Sequence, residues 1–490
     1  MDGPADGGVQ SQLRRTYLGG PMQPRSWRSR VWKPAALAAV VLVSAAACVT
    51  PPPANAPLVV NTTANTFDGT CDAANCSLRD AVAASNVLVN SGGQPNQITV
   101  PAGAYTLSVN TPIEILRTVV INGAGPALTT INVTGSTVAA PGGVFDAKIA
   151  LIMNGLAVTS SNAPAGDVLA SCTGHEARSV TLINVVTTGL AAAVAECDTT
   201  IVNSLVTGPN TVISPFVLSI SNSTVPFGTA TIDPNRTTLV SATVTGPSAT
   251  DGSTQNATLS IQPRAGGTNV PVNITTSRLV GIGLQLGGVA PGSITTNVLS
   301  TSFGMSGPNG PVSLTIGAGS SAKLVNSTVY GGGAGGAIKA DGTLTTESAT
   351  ITTNGPAIIK GANGAINLRR SIVGATSGAT CSAPATSLGR NLFVGPSCGT
   401  PTATDLTVAN EAALALGAID PWGNPTPSLH RLPSTGSPAI NAIPPGTATD
   451  LDCPTDASGG RSIDARGIRR PQGSGCDIGA LEVEVVAAPA

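Results

Sequence analysis

A short phrase of apolar and polar positions recurs along the chain from about residue 150. It runs apolar residue, spacer, Asn or Ser, then two or three β-formers, commonly followed by glycine. Copies centre on Asn154 (IMNGLAVT), Asn184 (LINVVTTG), Asn203 (IVNSLVTG), Asn222 (ISNSTVPFG), Ser241, Ser277, Asn297, Asn326 (LVNSTVYGG), Ser348 and Arg370. Successive anchors lie 30, 19, 19, 19, 36, 20, 29, 22 and 22 residues apart, and only the 36 leaves room for a divergent or inserted turn. A period near 20 is too short for helix-pair repeats, which need roughly 33 residues or more, and no leucine lattice is present. The pattern predicts an all-β right-handed parallel β-helix solenoid, in which alternate strand residues point inward and successive turns stack about 4.8 Å apart. Leu182, Val202, Leu239 and Leu324 are expected in one inward row. Asn154, Asn184, Asn203, Asn222, Asn297 and Asn326 either stack as an amide ladder between turns or serve as turn residues; both fit the same coil.

Composition agrees. Of 490 residues, 41% are hydrophobic, 10% charged and 2% aromatic, with 58 glycines. The narrow interior of such a coil is better filled by Val, Ile, Leu, Ala and Thr than by rings. Residues 1–33 hold six basic side chains against two acidic ones, leaving 18 basic and 23 acidic residues beyond them. A weakly acidic remainder with no basic stripe excludes nucleic-acid binding.

The N-terminus carries an export pattern. Arg25, Arg28, Arg30 and Lys33 precede the apolar run Ala35 to Val43, then small residues and Cys48. That order is a signal peptide, residues 1–47, with Met22 an alternative start; its apolar run is shorter than the roughly 20 residues a membrane span needs. Ala45-Ala46-Ala47-Cys48 resembles a bacterial lipobox, without its usual first Leu, and ordinary cleavage after Ala47 with secretion is the alternative. Lipidation at Cys48 also explains the odd total of nine cysteines. Residues 48–58 then form a Pro-rich tether to the membrane. The other eight fall into neighbouring pairs, Cys71 with Cys76, Cys172 with Cys197, Cys381 with Cys398, and Cys453 with Cys476. Local disulfides are expected, because distant turns of a solenoid never meet. With no C-x-x-C pair and two histidines, a zinc site is not expected.

Two stretches go beyond composition. FDGTCDAANCSLRDAVAASN, Phe67 to Asn86, reads as a short helix with Ser77 as its cap, Asp80 completing a capping box and Leu78, Ala81 and Val82 as its apolar face. Such a helix would plug the open end of a solenoid. The stretch resembles the CSLREA motif of bacterial surface β-helix proteins, with Asp80 in place of Glu. Toward the other end stand TSLGRNLFVGPSCG, NPTPSLHRLPSTGSPAINA and DARGIRRPQGSGCDIGALE. These resemble the C-terminal region of the choice-of-anchor Q family, which implies a surface location and a structural role for the motif residues Asp464, Arg466, Gly467 and Asp477. The expected organisation is a β-helix over 59–400, a C-terminal cap over 401–482 and a tail over 483–490.

For function the chain offers little. Glycan chemistry on a β-helix needs clustered carboxylates, and residues 201–400 hold only Asp233, Asp251, Asp341 and Glu347, in separate turns. Arg278, Arg369 and Arg370 lack acidic company, and His175-Glu176 reads as a loop pair. Asp450, Asp452, Asp456 and Asp464 admit calcium, but pairing of Asp464 and Asp477 with Arg466, Arg469 or Arg470 is the preferred reading, so no cofactor or metal is expected. The expectation is a monomeric, non-catalytic binding, adhesion or envelope-structural module facing extracellular polysaccharide or protein. The alternative is a polysaccharide-active enzyme, pectate-lyase-like or a glycoside hydrolase.

Overall fold

The computed structural model describes residues 57–484 except the segments 109–111, 135–142, 162–167, 173–177, 191, 196, 207–211, 214–216, 227–229, 233–235, 241, 246–256, 264–268, 288–291, 305–311, 332–334, 397, 421–427, 447–452 and 454–462. The segment expected to be a signal peptide, Cys48 and most of the expected tether therefore lie outside the described residues.

The chain winds into a right-handed parallel β-helix with three strand-bearing faces. One face stacks strands from Asn96–Val100 and Val119–Gly123 up to Ala365–Arg369. A second runs from Gly103–Ser108 to Leu406–Val408. The third begins at Ile113–Ile115 and ends at Ile358–Lys360. Alternation drives the coil, since burying every second side chain on each face builds one continuous apolar column. A single inward row runs through Ile98, Ile121, Met153, Leu182, Ile201, Ile220, Leu239, Ile274, Val298 and Leu324, each in register with the next. Three of the four residues expected in this row belong to it. Val202 does not: Ile201 occupies the row and Val202 faces outward, only partly covered. The 36-residue interval holds no extra turn, because Arg236–Val240 pairs directly with Asn269–Thr275. Its extra length lies in the connections around Ala257–Ile261 on the third face.

The recurring phrase encodes a corner between two faces. Asn184, Asn203, Asn222 and Asn326 take φ between 47° and 52°, as do Thr276, Ser300 and Arg370 nearby in the pattern. This is the left-handed region that asparagine tolerates better than most residues. The next residue turns inward and is usually a hydroxyl. Each such hydroxyl accepts the backbone N–H of its counterpart one turn earlier and donates to the carbonyl two residues before itself. Thr301 N donates to Ser327 Oγ at 3.2 Å and Ser327 Oγ donates to Val325 O at 2.8 Å. Ser204, Ser223, Ser277 and Ser371 repeat the second bond at 2.7–2.8 Å. The four corner asparagines are thus turn residues. Asn154 and Asn297 stand one and three residues before the corners Gly155 and Ser300, on strands, and do stack as amides: Asn154 on Asn122 at 3.1 Å and Asn297 on Asn273 at 3.4 Å.

The helix expected from the sequence is present. We label it α1, Leu78–Val87, with both arms of the Ser77/Asp80 capping box formed and Leu78, Ala81 and Val82 buried over the first turns of the coil. All four local disulfides form; Cys172–Cys197, with its Cα atoms 5.2 Å apart, joins adjacent turns.

The C-terminal region closes the coil with Leu406–Val408 and the 3-10 turn Glu411–Leu414. It then folds back along the flank. Leu429 N donates to Ser302 Oγ, Asn326 Nδ2 to Ile463 O and Ala480 N to Thr350 Oγ1, at 2.8–3.0 Å. The outward residues Ser302, Asn326 and Thr350 are therefore buried although polar, and on the last turns Ile372 and Leu392 join Ala439, Ile443 and Ile478 in a second, smaller core.

Candidate functional site

Where α1 meets the third face, a cavity of about 470 Å³ opens. Its apolar side is Val82, Ala83, Pro112 and Ile113; Arg79, Asn86, Glu114 and Asp146 bring polar groups to it, and Phe67 stands at its edge. The Phe67 ring is 63% exposed, on a chain where most large side chains are buried. The two acids are placed by strand alternation. In Ile113-Glu114-Ile115 and Phe145-Asp146-Ala147 the flanking residues point into the coil, so both carboxylates point out. Glu114 and Asp146 are register partners on adjacent turns, which sets their backbones about 4.8 Å apart.

The surroundings distinguish the two. Lys148 Nζ lies 2.5 Å from Asp146 Oδ2, while Asp146 Oδ1 is buried with no partner. Ser171 follows Asp146 in register, and its hydroxyl is likewise buried and unpartnered. The Glu114 carboxylate is exposed and pairs with no described residue. Asn86 fixes the strand end by donating to Glu114 O and accepting from Leu116 N, both at 2.8 Å. Arg79 Nη2 donates to Ser108 O at 2.7 Å, and burial holds its guanidinium below its ordinary pKa. A site with two in-register carboxylates, two cations and an exposed ring can exchange protons with a bound ligand and stack on it.

Phe67, Arg79, Val82, Ala83 and Asn86 belong to the motif stretch that the sequence marks as a capping helix, whereas Pro112, Ile113, Glu114 and Asp146 carry no sequence motif. Of the acids that had been considered, Asp341 pairs with Lys339 at 3.7 Å and Glu347 with Lys323 at 3.2 Å, on separate turns. Asp233, Asp251, His175 and Glu176 lie outside the described residues. Arg278 is a partner of Tyr330, whose hydroxyl burial pushes up; Arg370 is a corner residue whose carbonyl accepts Gly479 N.

The C-terminal motif forms a structural ion cage. Asp464 is fully buried and accepts from Arg466 Nε and Nη2 at 3.0 and 2.8 Å and from the backbone N–H groups of Arg466, Ile468 and Glu482. Gly467, at φ 86°, makes the turn that returns Ile468 to it. Arg470 pairs with Glu482 at 3.0 Å, and Asp477 accepts Asn441 N and Val483 N, both at 2.7 Å. Donors fill Asp464, so it has little to offer a cation; Asp450, Asp452 and Asp456 lie outside the described residues. No group of three metal-ligating residues stands together among the described residues, and none of their helices is long and apolar enough to cross a membrane.

No family model and no curated protein matches the chain. Solved structures do. The A-module of the Azotobacter vinelandii mannuronan C-5 epimerase AlgE4 is 12% identical, with 69% of this chain and 92% of that one covered and a TM-score of 0.39. The AlgE6 A-module gives 11% identity, 68% and 91% coverage and 0.37. The catalytic domain of a GH87 α-1,3-glucanase in complex with nigerose gives 13% identity, 70% and 69% coverage and 0.38. These likenesses concern the coil. The expectation of a non-catalytic binding, adhesion or envelope module is corrected to this extent: the structures named here are an epimerase module and a glucanase catalytic domain, while the likeness itself shows the coil alone. The survey of carboxylates covered residues 201–400; Glu114 and Asp146 form a register pair before that range.

Proposed function

We propose that the protein is a polysaccharide-active β-helix enzyme that cleaves a glycosidic bond at the Glu114–Asp146 pair. The observation that carries this reading is the in-register placement of the two carboxylates at a groove with an exposed ring. Glycosidases that retain anomeric configuration hold their carboxyl groups roughly 5–5.5 Å apart, inverting ones about 6.5–9.5 Å apart; adjacent strands favour the former. Asp146, ion-paired with Lys148, is the nucleophile: its carboxylate attacks the anomeric carbon as Glu114 gives its proton to the departing glycosidic oxygen. Water then displaces Asp146, surrendering a proton to Glu114, so that one water is consumed per bond cleaved. Phe67 supplies the stacking platform.

Export and anchorage complete the proposal. Four disulfides fit an oxidising compartment, and Cys48 is the residue proposed to carry lipid and hold the coil at a bacterial surface, as the CSLREA and choice-of-anchor Q resemblance implies. Cys48→Ser should move the protein from the membrane fraction to the soluble one; unchanged partitioning would refute the anchor. For the catalytic reading, purified protein should release reducing ends from a panel of neutral and acidic polysaccharides, with proton NMR of the first product showing retained configuration. Inverted product would refute the assignment of Asp146 as nucleophile.

A further inference from the structure

The groove's unspent donors indicate the class of glycan it takes. Arg79 leaves α1 toward the cavity with five N–H donors, of which Nη2 gives one to Ser108 O. No described residue accepts from the others, although the side chain is partly withdrawn from water and burial lowers its pKa. Lys148, by contrast, is committed to Asp146. The groove thus presents one guanidinium fork that, near the Asp80 charge, makes no ion pair among the described residues, beside the carboxylate pair and the exposed Phe67. A planar fork with free donors matches a carboxylate through two parallel hydrogen bonds, and partial desolvation strengthens them.

We infer that the substrate is a uronic-acid-containing polysaccharide whose carboxylate is bound by Arg79 while a sugar ring rests on Phe67. The inference rests on the proposed glycan-cleaving role for its location, but its test needs no turnover. Neutral glycans offer the Arg79 donors single uncharged hydroxyl acceptors in place of a bidentate anion, and a sulfate ester offers a tetrahedral rather than a planar partner. Arg79 is here a specificity residue that touches substrate in the groove that Glu114 and Asp146 also line.

The test is calorimetric binding of polygalacturonate oligomers, the same oligomers after chemical reduction of their carboxylates to alcohols, and a sulfated glucan, to the mature protein and to Arg79→Gln and Arg79→Lys. The wild type should bind the acidic oligomers at least tenfold more tightly than the reduced ones. Arg79→Gln should lose that difference while keeping its affinity for the reduced oligomers, and Arg79→Lys should keep part of it. Equal affinity of the wild type for native and reduced oligomers, equal loss of both in Arg79→Gln, tighter binding of the sulfated glucan, or no binding of any of the three would overturn the inference. Uronate-selective binding without bond cleavage would sink the proposed catalysis and leave the inference standing; cleavage of neutral glycans without uronate preference would do the reverse.

Discussion

Ser327→Ala tests how the corners of the coil are held. The Ser327 hydroxyl is fully buried, accepts Thr301 N at 3.2 Å and donates to Val325 O at 2.8 Å. Removing it orphans a buried amide N–H, which costs about 1–3 kcal/mol, and takes away one further bond of net worth about 1 kcal/mol. The chain itself bounds the sum, because Ala242 and Ala349 occupy the same corner position without a hydroxyl. The cost should therefore sit low, at about 1–2 kcal/mol. Global melting is a poor readout, since a solenoid opens locally. Native-state hydrogen exchange of the Thr301 amide should instead speed up by about 5–30-fold, with little change three or more turns away. Ser327→Thr, which copies the hydroxyl at Thr301, should restore slow exchange. Unchanged exchange at Thr301 in Ser327→Ala would refute the ladder as the force holding the corner.

Two further outcomes follow from buried groups. Ile201→Asp places a carboxylate in the inward row and should cost several kcal/mol, whereas Val202→Asp, facing out, should fall within about 1 kcal/mol of wild type; the two are compared by urea unfolding, and equal effects would refute the register. In the C-terminal region His430 is fully buried against Thr328, and burial lowers its pKa to about 4; Asp464 and Arg466 oppose one another there. Its folded value lies below the ordinary 6.5, so its contribution is present above about pH 6.5 and lost as pH falls toward 4. Burial raises Glu482 from 4.5 to about 7 despite Arg470, so its contribution is present below about pH 4.5 and lost as pH rises through 7. The opposing slopes, about 1.4 kcal/mol per pH unit each, offset one another between pH 4.5 and 6.5. His430→Gln should unmask the Glu482 slope, with stability of the C-terminal region falling as pH rises across that window; a flat profile in the variant would contradict it.

Much of the fold was legible in the sequence because a coil repeats its own constraints. The period, the four cysteine pairs and the Ser77/Asp80 helix cap all follow from local patterns and stand in the structure. What failed, failed by a short shift along the strand: one residue at Asn154 and three at Asn297. The phrase aligns Asn154 and Asn297 with the corner asparagines, yet Gly155 and Ser300 are the corner residues of those turns. Val202 stands directly before its corner residue Asn203, whereas Leu182 and Leu324 stand two before theirs, and a one-residue shift along a strand turns a side chain to the other face. The carboxylate pair was missed for another reason. Glu114 and Asp146 lie 32 residues apart, before the recurring phrase begins, and their neighbourhood exists only through strand register. The outward acid in each apolar triplet, IEI and FDA, was the available signal.

The most direct test of the central claim is turnover of a uronate polysaccharide by the wild type, Asp146→Asn and Glu114→Gln, each verified as folded by its circular dichroism. Removing an acid–base group costs about 10²–10⁴-fold. Both variants should lose activity by at least that range while binding the polymer as before, and azide should restore part of the rate of Asp146→Ala. Turnover by either variant within a few-fold of wild type, or none by the wild type on any glycan tested, would contradict a catalytic role for the pair.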